Sequence, residues 1–405
     1  MRFDYDYVIV GGGMAADAAA RGIREVDPNG SIAVLSDDAE PPYERPPLSK
    51  DMWRDPDQHE PYLGTEAAAG AQVRTSTRVS HIDRGGRTVG VDDDLYGYRA
   101  LLIATGGRPR ELNLGPSPHV IYYRTIGDYH RARALAGREV VVVGGGYIGT
   151  EIAAGLAMAG TRVTLLTPDD EVGAGAYPPG LTRRIRGAFD DHGVTVRTRT
   201  RARWLDRSSV GTLTVHAETD GVPVSLGADG VVLGLGIEPN VELAQEAGLP
   251  VENGVVVDEF LRTPDPAVFA AGDVASYPDA ILGRRRVEHV DQATVSGRAA
   301  GRNMAAAVTG APLEPYTHTP FFYSDIFDLG YEAVGRLDAR MDTFEDWTEP
   351  DETGVVYYLD RGALVGVLLW NVWDSTDAAR DLLTRYREPG SLTDTTPLKG
   401  AITAG

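Results

Sequence analysis

Apolar runs that end at glycines alternate with alanine-rich stretches in the first half of the chain. Residues 5–24, YDYVIVGGGMAADAAARGIR, read as a strand, a glycine turn and a helix that ends before Pro28 and Gly30. The strand SIAVLS follows at 31–36, and the same order returns at 138–167 as REVVVVGGGYIGTEIAAGLAMAGTRVTLLT. Two βαβ units of one design predict parallel sheets, each with a nucleotide at the carboxyl ends of its strands.

The rest of the chain contains two more strands that end at glycine turns, and then a region with a different hydrophobic pattern. Residues 98–110 and 266–277 predict strands that run into glycine turns close to a ligand. From about residue 313 the pattern becomes aromatic and alternating, and 354–371 predicts an antiparallel hairpin in a third domain. Residues 338–354 are acidic and poor in pattern, which predicts a surface loop.

Length and charge narrow the class of protein. A chain of 405 residues predicts two or three domains. It contains no apolar run of the ~20 residues that span a bilayer, and the amino terminus leads directly into a strand, so we expect a cytoplasmic protein without a membrane span. The formal net charge of −20 repels phosphodiester backbones and makes nucleic acid an unfavourable partner, although solubility alone also explains such a charge.

The chain has no cysteine. This excludes disulfides, thiolate metal sites, iron–sulfur ligation by its own thiols and cysteine nucleophiles. It also excludes the disulfide reductases, because they need a cysteine pair next to a flavin.

The first glycine turn carries a dinucleotide-binding motif. Gly11, Gly13 and Ala16 form G-x-G-x-x-A directly after a strand, where the first glycine makes the turn and the second lets a pyrophosphate approach the backbone. The helix amino terminus then faces the phosphates with unpaired N–H groups. Asp37, at the end of the next strand, is placed to bind the adenosine ribose.

The second turn repeats the motif with Gly144, Gly146 and Gly149. The acid at its ribose position is displaced slightly, to Asp169, and no arginine sits beside it in the sequence to receive a 2′-phosphate. This favours NAD over NADP. The alternative is that Asp169 belongs to a solvated turn after Pro168.

A lysine in the stretch YERPPLSK, residues 43–50, is unusual for this chain. Lys50 and Lys399 are its only lysines, and arginine supplies the other cations. A compact ammonium suits a site that needs one small cation near a reacting atom, whereas chance retention on a loop is the alternative.

Several motifs, in order, resemble the two-dinucleotide flavoprotein family that includes the oxygenase-coupled ferredoxin reductases. Three further stretches resemble one branch most closely, the apoptosis-inducing factor oxidoreductases. The family motifs are PPYERPPLSK, IATGGRPR, GGGYIGTE, GIEPNVELA and FAAGDVASY, and the branch stretches are LGRRRVEHVDQATVSGRAAGRNM, FFYSDIFDLGYEAVG and GVVYYLDRGALVGVLLWN.

The resemblance implies an α/β fold with two Rossmann-like, glutathione-reductase-like dinucleotide-binding domains and an α+β C-terminal domain with an antiparallel sheet. FAD would bind a split domain at 1–125 and 250–312, and NAD(H) a domain at 126–249. Residues 313–405 would form the C-terminal interface domain.

The resemblance also implies roles for single residues. Lys50 would sit beside the flavin and pair with Glu151, so that the ammonium stabilises the negative charge of the reduced ring without being buried alone. Tyr147 would cover the flavin face until nicotinamide arrives. From the residues alone, an exposed Glu151 and a packed core Tyr147 are the alternatives.

Other matches concern the two cofactors. Asp273 would hold the ribityl and pyrophosphate region of FAD, Arg110 an FAD phosphate or the adenine, and Glu288 and His289 would lie near flavin and nicotinamide, although a lone histidine is usually structural. The catalytic candidates are Lys50, Glu151, Tyr147 and His289. The FAD-side candidates are Gly11, Gly13, Ala16, Asp37, Arg45, Pro46, Lys50, Arg110, Asp273, Glu288, His289 and Tyr323; the NAD-side candidates are Gly144, Gly146, Tyr147, Ile148, Glu151, Asp169 and Gly236.

One departure from the family pattern bears on the flavin side. The usual W-S-D is Tyr323-Ser324-Asp325 here, so the π surface offered to the cofactors is smaller. The arginines at 284–286 could dock an acidic acceptor, but a loop decoration is the simpler interpretation.

We therefore expect an FAD-dependent NADH oxidoreductase that passes electrons to an unidentified acceptor, which could be a quinone, oxygen or a small iron–sulfur protein. One alternative is an NADH-dependent ferredoxin or rubredoxin reductase, which the acidic charge disfavours because such partners are usually acidic. Another is an NADH-sensing binding protein that changes its oligomeric state or partner. A homodimer is possible in each case.

Overall fold

The computed structural model describes residues 1–55, 61–112, 118–207 and 213–403. The chain divides into two compact units. The first comprises Met1–Arg45, Glu60–Arg108 and Glu238–Pro320, and the second comprises Pro46–His59, Pro109–Ile237 and Phe321–Gly405. The boundaries at 125, 249 and 312 remain predictions.

The helices and strands are numbered along the chain. The helices are α1 Met14–Val26, α2 Asp51–Arg54, α3 Thr65–Ala69, α4 Ile126–Arg133, α5 Tyr147–Met158, α6 Pro179–Asp191, α7 Glu242–Glu246, α8 Val290–Thr309 and α9 Thr376–Arg385. The strands are β1 Arg2–Asp4, β2 Tyr7–Val10, β3 Ile32–Leu35, β4 Gln72–Arg74, β5 His81–Asp83, β6 Thr88–Val91, β7 Asp94–Gly97, β8 Ala100–Ile103, β9 Gly107–Pro109, β10 Val120–Tyr122, β11 Glu139–Val143, β12 Arg162–Leu166, β13 Thr195–Arg197, β14 Thr200–Arg207, β15 Leu213–Thr219, β16 Val222–Ala228, β17 Gly230–Leu233, β18 Ile237–Pro239, β19 Val255–Val256, β20 Val268–Ala270, β21 Ala275–Asp279, β22 Gly283–Arg285, β23 Phe321–Ile326, β24 Leu329–Gly335, β25 Asp342–Glu349, β26 Thr353–Asp360 and β27 Ala363–Trp370.

The first unit is built on a five-stranded parallel sheet with the order β20-β8-β2-β3-β4. Strands β2, β3 and β8 are buried along their whole length, as expected for parallel strands covered on both faces. Helix α1 packs against α8 through small residues, because a Cβ at Gly22, Gly297 or Gly301 would collide with the backbone of the other helix. This close packing fixes α1 over the sheet.

The second unit contains a matching parallel sheet with the order β10-β17-β11-β12-β13. A three-stranded antiparallel sheet, β14-β15-β16, packs against it and shares a core in which Leu213, Val215 and Leu233 are buried. The two predicted βαβ units are thus β2-α1-β3 in the first unit and β11-α5-β12 in the second.

The second unit also contains the predicted antiparallel sheet, with the order β23-β24-β27-β26-β25. Its hairpin β26–β27 confirms the prediction for 354–371. The loop predicted at 338–354 is wrong, because Asp342–Glu349 forms edge strand β25 and pairs antiparallel with β26. Acidic side chains on an edge strand discourage pairing with other chains, and the same charges hid the strand in the sequence.

Candidate functional site

The glycine turn after β2 has the geometry that a dinucleotide requires. Gly11 has a φ of +117°, and a Cβ there would collide with the carbonyl oxygen of Ala104. Gly13 is the N-cap residue of α1, and no side chain caps the helix there. A Cβ built on Gly13 would have no atom within 4 Å. The turn therefore leaves room for a pyrophosphate at the helix amino terminus, where N–H groups favour an anion.

The turn after β11 has the same form. Gly144 has a φ of +120°, Gly146 caps α5 without a side-chain bond, and nothing lies within 4 Å of a Cβ built on Gly146. A Cβ on Gly149 would collide with the carbonyl oxygen of Gly144, so this position must be glycine. We call the two glycine turns, at 11–13 and 144–146, with the helix amino termini that follow them, the first and the second cradle. Both fit a dinucleotide, which agrees with the FAD and NAD(H) expected from the sequence.

The two ribose-position acids follow the neighbouring strands. Asp37 comes after β3 and Asp169 after β12, and both side chains are exposed. The backbone N–H of Asp169 donates to the hydroxyl of Thr167 over 3.3 Å, which orients the turn. Both carboxylates are accessible to a ribose, as predicted for the ends of these strands.

The structure brings the backbone of an arginine to Asp169, although no arginine is near it in the sequence. The backbone N–H of Arg199 donates to the carbonyl oxygen of Asp169 over 2.9 Å. The sequence hid this neighbour because Arg199 follows β13, the strand beside β12 in the sheet.

The structure joins Lys50 to Glu151. Helix α5 carries Glu151, whose side chain is 2% exposed, and Lys50 Nζ lies 2.6 Å from Glu151 Oε1. The side chain of Lys50 is 9% exposed, so this ion pair is shielded from water. The interpretation of Glu151 as an exposed helix residue is therefore wrong.

Two serines complete the coordination of this carboxylate. Ser49 Oγ donates to Glu151 Oε2, and Ser324 Oγ donates to Glu151 Oε1, each over 2.5 Å. Three donors on one buried carboxylate satisfy both of its oxygens. Neither serine was predicted as a site residue from the sequence, where the only signals were that Ser49 precedes Lys50 and that Ser324 lies in the family's W-S-D position.

Strand β23 brings two more groups to Lys50. The Lys50 ammonium lies 5.2 Å from the centre of the Tyr323 ring, within the range of a cation–π interaction. Burial raises the pKa of Asp325 above its usual value, and the nearby cations Lys50 and Arg54 partly oppose that rise. Lys50 is thus surrounded by one aromatic face and two carboxyl groups.

The exposed face at the start of α5 is apolar. Tyr147 is 37% and Ile148 39% exposed, directly after the phosphate cradle. The Tyr147 ring contacts Tyr177 and Phe322, with ring centres 6.4 and 5.6 Å away. The core interpretation of Tyr147 is therefore only partly right, because one face packs and the other stays open. Burial raises its pKa to about 12, so the phenol is neutral at neutral pH.

The aromatic group behind Tyr147 is tightly connected. The hydroxyls of Tyr177 and Tyr331 are hydrogen-bonded over 2.6 Å, and the ring of Tyr331 stacks on Trp370 at 5.7 Å. Burial raises the pKa of Tyr177 and Tyr331 well above the usual value. This group fixes the inner side of Tyr147.

In the first unit, Arg286 joins two of the predicted flavin-side residues. It lies 2.6 Å from Glu288 Oε1 and donates to the backbone oxygen of Asp273 over 3.1 Å, and its side chain is 8% exposed. Its neighbour Arg284 donates to the carbonyl oxygen of Ser276 over 2.6 Å. Arg284 and Arg286 thus bind backbone carbonyls of their own unit, which is more than a loop decoration, and docking of an acidic acceptor by the arginines at 284–286 remains an alternative.

The remaining candidates are placed as follows. His289 is the N-cap residue of α8. The backbone N–H of Arg110 donates to the carbonyl oxygen of Gly236 over 2.9 Å. Arg45 lies 5.2 Å from the ring of Tyr43, and Pro46 begins a short 3-10 turn, Pro46–Ser49, that leads to Lys50. Their roles towards FAD or NAD(H) remain predictions.

The described ranges contain neither a metal-binding cluster nor a helix that could span a membrane. Within them, no group of three or more His, Asp and Glu side chains could hold a metal ion. No helix in the same ranges is long and apolar enough to cross a membrane.

Comparison with known proteins agrees with this geometry. Residues 5–297 match the pyridine nucleotide-disulphide oxidoreductase family model. The chain is 34% identical to apoptosis-inducing factor 1, mitochondrial, of Dictyostelium discoideum, over 98% of this chain and 81% of that protein. It is also 34% identical to the anthranilate 1,2-dioxygenase system ferredoxin–NAD(+) reductase component of Burkholderia cepacia, over 96% and 97%.

A solved structure is similar over nearly the whole chain. It is the covalent putidaredoxin reductase–putidaredoxin complex, with a TM-score of 0.85 and 31% identity over 98% of this chain and 97% of that chain. The predicted α/β fold with a C-terminal antiparallel sheet is confirmed by this likeness. The chain belongs to the pyridine nucleotide-disulphide oxidoreductase family.

Proposed function

We propose that this protein takes a hydride from NADH, in preference to NADPH, onto FAD and passes the electrons to an external acceptor without a disulfide step. As a family member it is an FAD-dependent oxidoreductase that uses NAD(H). The observation that carries the proposal is the pair of open glycine cradles, at Gly13 and Gly146, in a chain without cysteine.

The second cradle supports the NADH side. The N–H groups at the start of α5 would bind the pyrophosphate, and Asp169 would accept hydrogen bonds from the two ribose hydroxyls. Tyr147 and Ile148 offer an apolar surface beside this cradle, suited to the nicotinamide ring. A carboxylate at the ribose position repels a 2′-phosphate, which is the basis of the preference for NADH.

The first cradle supports FAD, with Asp37 for its ribose and Asp273 near its pyrophosphate. When bound, FAD accepts the hydride and releases the electrons to other carriers. Lys50 would supply a fixed positive charge that favours the added electrons. Glu151, Ser49 and Ser324 hold this ammonium in one place, so no reorganisation is needed during the reaction.

The identity of the electron acceptor is argued from similar proteins and from the net charge. An iron–sulfur protein is favoured by two similar proteins, one named a ferredoxin–NAD(+) reductase component and the other solved with putidaredoxin. The net charge of −20 opposes this choice where the iron–sulfur protein is also acidic. Quinone and oxygen are the other candidates, and an NADH-sensing role is the alternative function. A cytoplasmic location and a homodimer remain predictions.

An anaerobic titration of the purified FAD-loaded protein tests the proposal. One equivalent of NADH should bleach the flavin band, NADPH should do so much less efficiently, and a [2Fe–2S] ferredoxin should then restore the band faster than a quinone or oxygen. A flavin that NADH does not reduce would overturn the proposal. A long-wavelength band that persists in air, together with a change in sedimentation, would indicate the sensor instead.

A further inference from the structure

An arginine lies against the ribose edge of the second cradle. The Arg199 N–H donates to the Asp169 carbonyl oxygen over 2.9 Å, and the next N–H, of Thr200, donates to the carbonyl oxygen of Thr167 over 2.8 Å. The two segments run side by side. The side chain of Arg199 therefore starts next to the position where an adenosine ribose would bind Asp169.

This cation is held by a second acid. Arg199 Nε lies 2.7 Å from Asp220 Oδ1, and the Asp220 N–H donates back to the Arg199 carbonyl oxygen over 3.2 Å. Both residues adopt left-handed backbone conformations, with φ of 46° and 51°, where β14 and β15 meet. The hydrogen bond to Asp220 is the main cause of the raised pKa of Arg199, and Asp170 adds to it.

We propose that Asp220 is a specificity-determining residue of the NADH site, because it keeps the Arg199 guanidinium in an ion pair and away from the 2′-phosphate of NADPH. Arginine is the residue best suited to bind such a phosphate, since its fork matches two phosphate oxygens. The inference rests on the proposed placement of NADH at Asp169.

The ion pair is a modest restraint. The two side chains are 54% and 52% exposed, and ion pairs between exposed groups are weak. Removing the acid also removes one negative charge near the phosphate. We therefore expect a change of about three- to tenfold in the preference between the two nucleotides, not a complete reversal, because Asp169 and Asp170 remain.

The test uses Asp220→Asn, because asparagine keeps the size of the side chain and tolerates the left-handed conformation. Binding of ADP-ribose and of 2′-phospho-ADP-ribose to the FAD-loaded protein is measured by calorimetry. These probes carry no redox group, so the readout is independent of turnover. Asp220→Asn should tighten 2′-phospho-ADP-ribose binding about three- to tenfold and leave ADP-ribose within about twofold.

Two further variants identify the cation. Asp206→Asn is the matched control, because Asp206 is an exposed acid at the other end of β14, and it should change neither affinity. The double variant Arg199→Ala/Asp220→Asn should lose the gain. A gain that persists in the double variant would assign the phosphate to another cation, such as Arg197 at the end of β13, and would overturn the proposal.

Asp169→Ala separates this inference from the proposed function. If Asp169→Ala weakens ADP-ribose but Asp220→Asn leaves the ratio of affinities unchanged, only the role of Asp220 is wrong. If Asp169→Ala leaves ADP-ribose binding unchanged, the NADH site is misplaced, and both the proposed NADH site and the role of Asp220 are wrong.

Discussion

The two glycine turns have nearly the same backbone, but the helices that follow them differ. Gly11 and Gly144 have φ values of +117° and +120°, and each would collide with a carbonyl oxygen if it carried a Cβ. Counted from these glycines, Ala18 of α1 and Glu151 of α5 occupy the same helix position. Both are buried, with 4% and 2% exposure, yet one is apolar and the other is a carboxylate.

The two helices also have different surroundings. Helix α1 packs closely on α8 through small residues, and its own buried carboxylate, Asp17, pairs with Arg21 of the same helix over 2.8 Å. Helix α5 instead meets Lys50, Ser49 and Ser324, which bind the carboxylate of Glu151. The glycine turn is thus common to both units, whereas a buried carboxylate that pairs with Lys50 belongs to α5 alone among these two helices.

Removing the Glu151 carboxylate should give the largest difference in stability between the two helices. Glu151→Ala leaves Lys50 buried without its partner, so we expect a loss of about 3–5 kcal/mol in unfolding free energy. Ala18→Gly at the matching position of α1 should cost only about 1 kcal/mol. Urea unfolding followed by circular dichroism compares the two, and equal losses would show that Glu151 is not paired as described.

The third motif position gives the next largest contrast. Gly149→Ala places a methyl group against the Gly144 carbonyl oxygen, where no side chain can move aside, and should cost about 1–3 kcal/mol or more. Ala16→Gly should cost about 1 kcal/mol through chain entropy. The same unfolding experiment checks both, and ADP-ribose calorimetry should show weakened binding for Gly149→Ala only.

The ribose acids should separate the two cofactors. Asp169→Ala should raise KM for NADH roughly tenfold or more, because a hydrogen bond to a charged group is worth about 1.5–3 kcal/mol, and should affect NADPH far less. Asp37→Ala should weaken FAD retention and leave KM for NADH unchanged in the fully loaded protein. Unchanged NADH kinetics in Asp169→Ala would mean that the second ribose site is misassigned.

The smallest effect concerns pH and Asp325. Because its folded pKa is raised, the folded state binds the extra proton, so the stability from Asp325 is present at low pH and is lost as pH rises through the folded pKa. Lys50→Met removes a cation that opposes this rise. The destabilisation of Lys50→Met relative to wild type should therefore grow as pH rises above the usual titration range of an aspartate, which urea unfolding at several pH values checks. A pH-independent difference would contradict the charge network.

The βαβ units were predictable because their signals are local. An apolar run, a glycine turn and an alanine-rich helix lie within about thirty residues, so periodicity and turn chemistry suffice. The pairing of Lys50 with Glu151 was different. It came only from the resemblance to known flavoproteins, since the two residues are 101 apart in the chain.

The contacts that the sequence could not predict are all long-range. Ser324 is 173 residues from Glu151, and its alternating strand gives no sign that its hydroxyl meets a carboxylate. Arg199 reaches Asp169 only because β13 lies beside β12 in the sheet. Strand β25 was missed for another reason. Its acidic residues discourage pairing of this edge strand with other chains, but they give the sequence little β propensity.

Reduction of bound FAD by NADH in a stopped-flow instrument tests the central claim, that α5 and Lys50 supply fixed charge to the flavin reaction. Lys50→Met should retain FAD but slow reduction on the order of 10²-fold, and Lys50→Arg should restore only part of the rate. Glu151→Gln should also change the rate, and the double variant should lose less than the sum of the two. A wild-type rate in Lys50→Met would contradict the account.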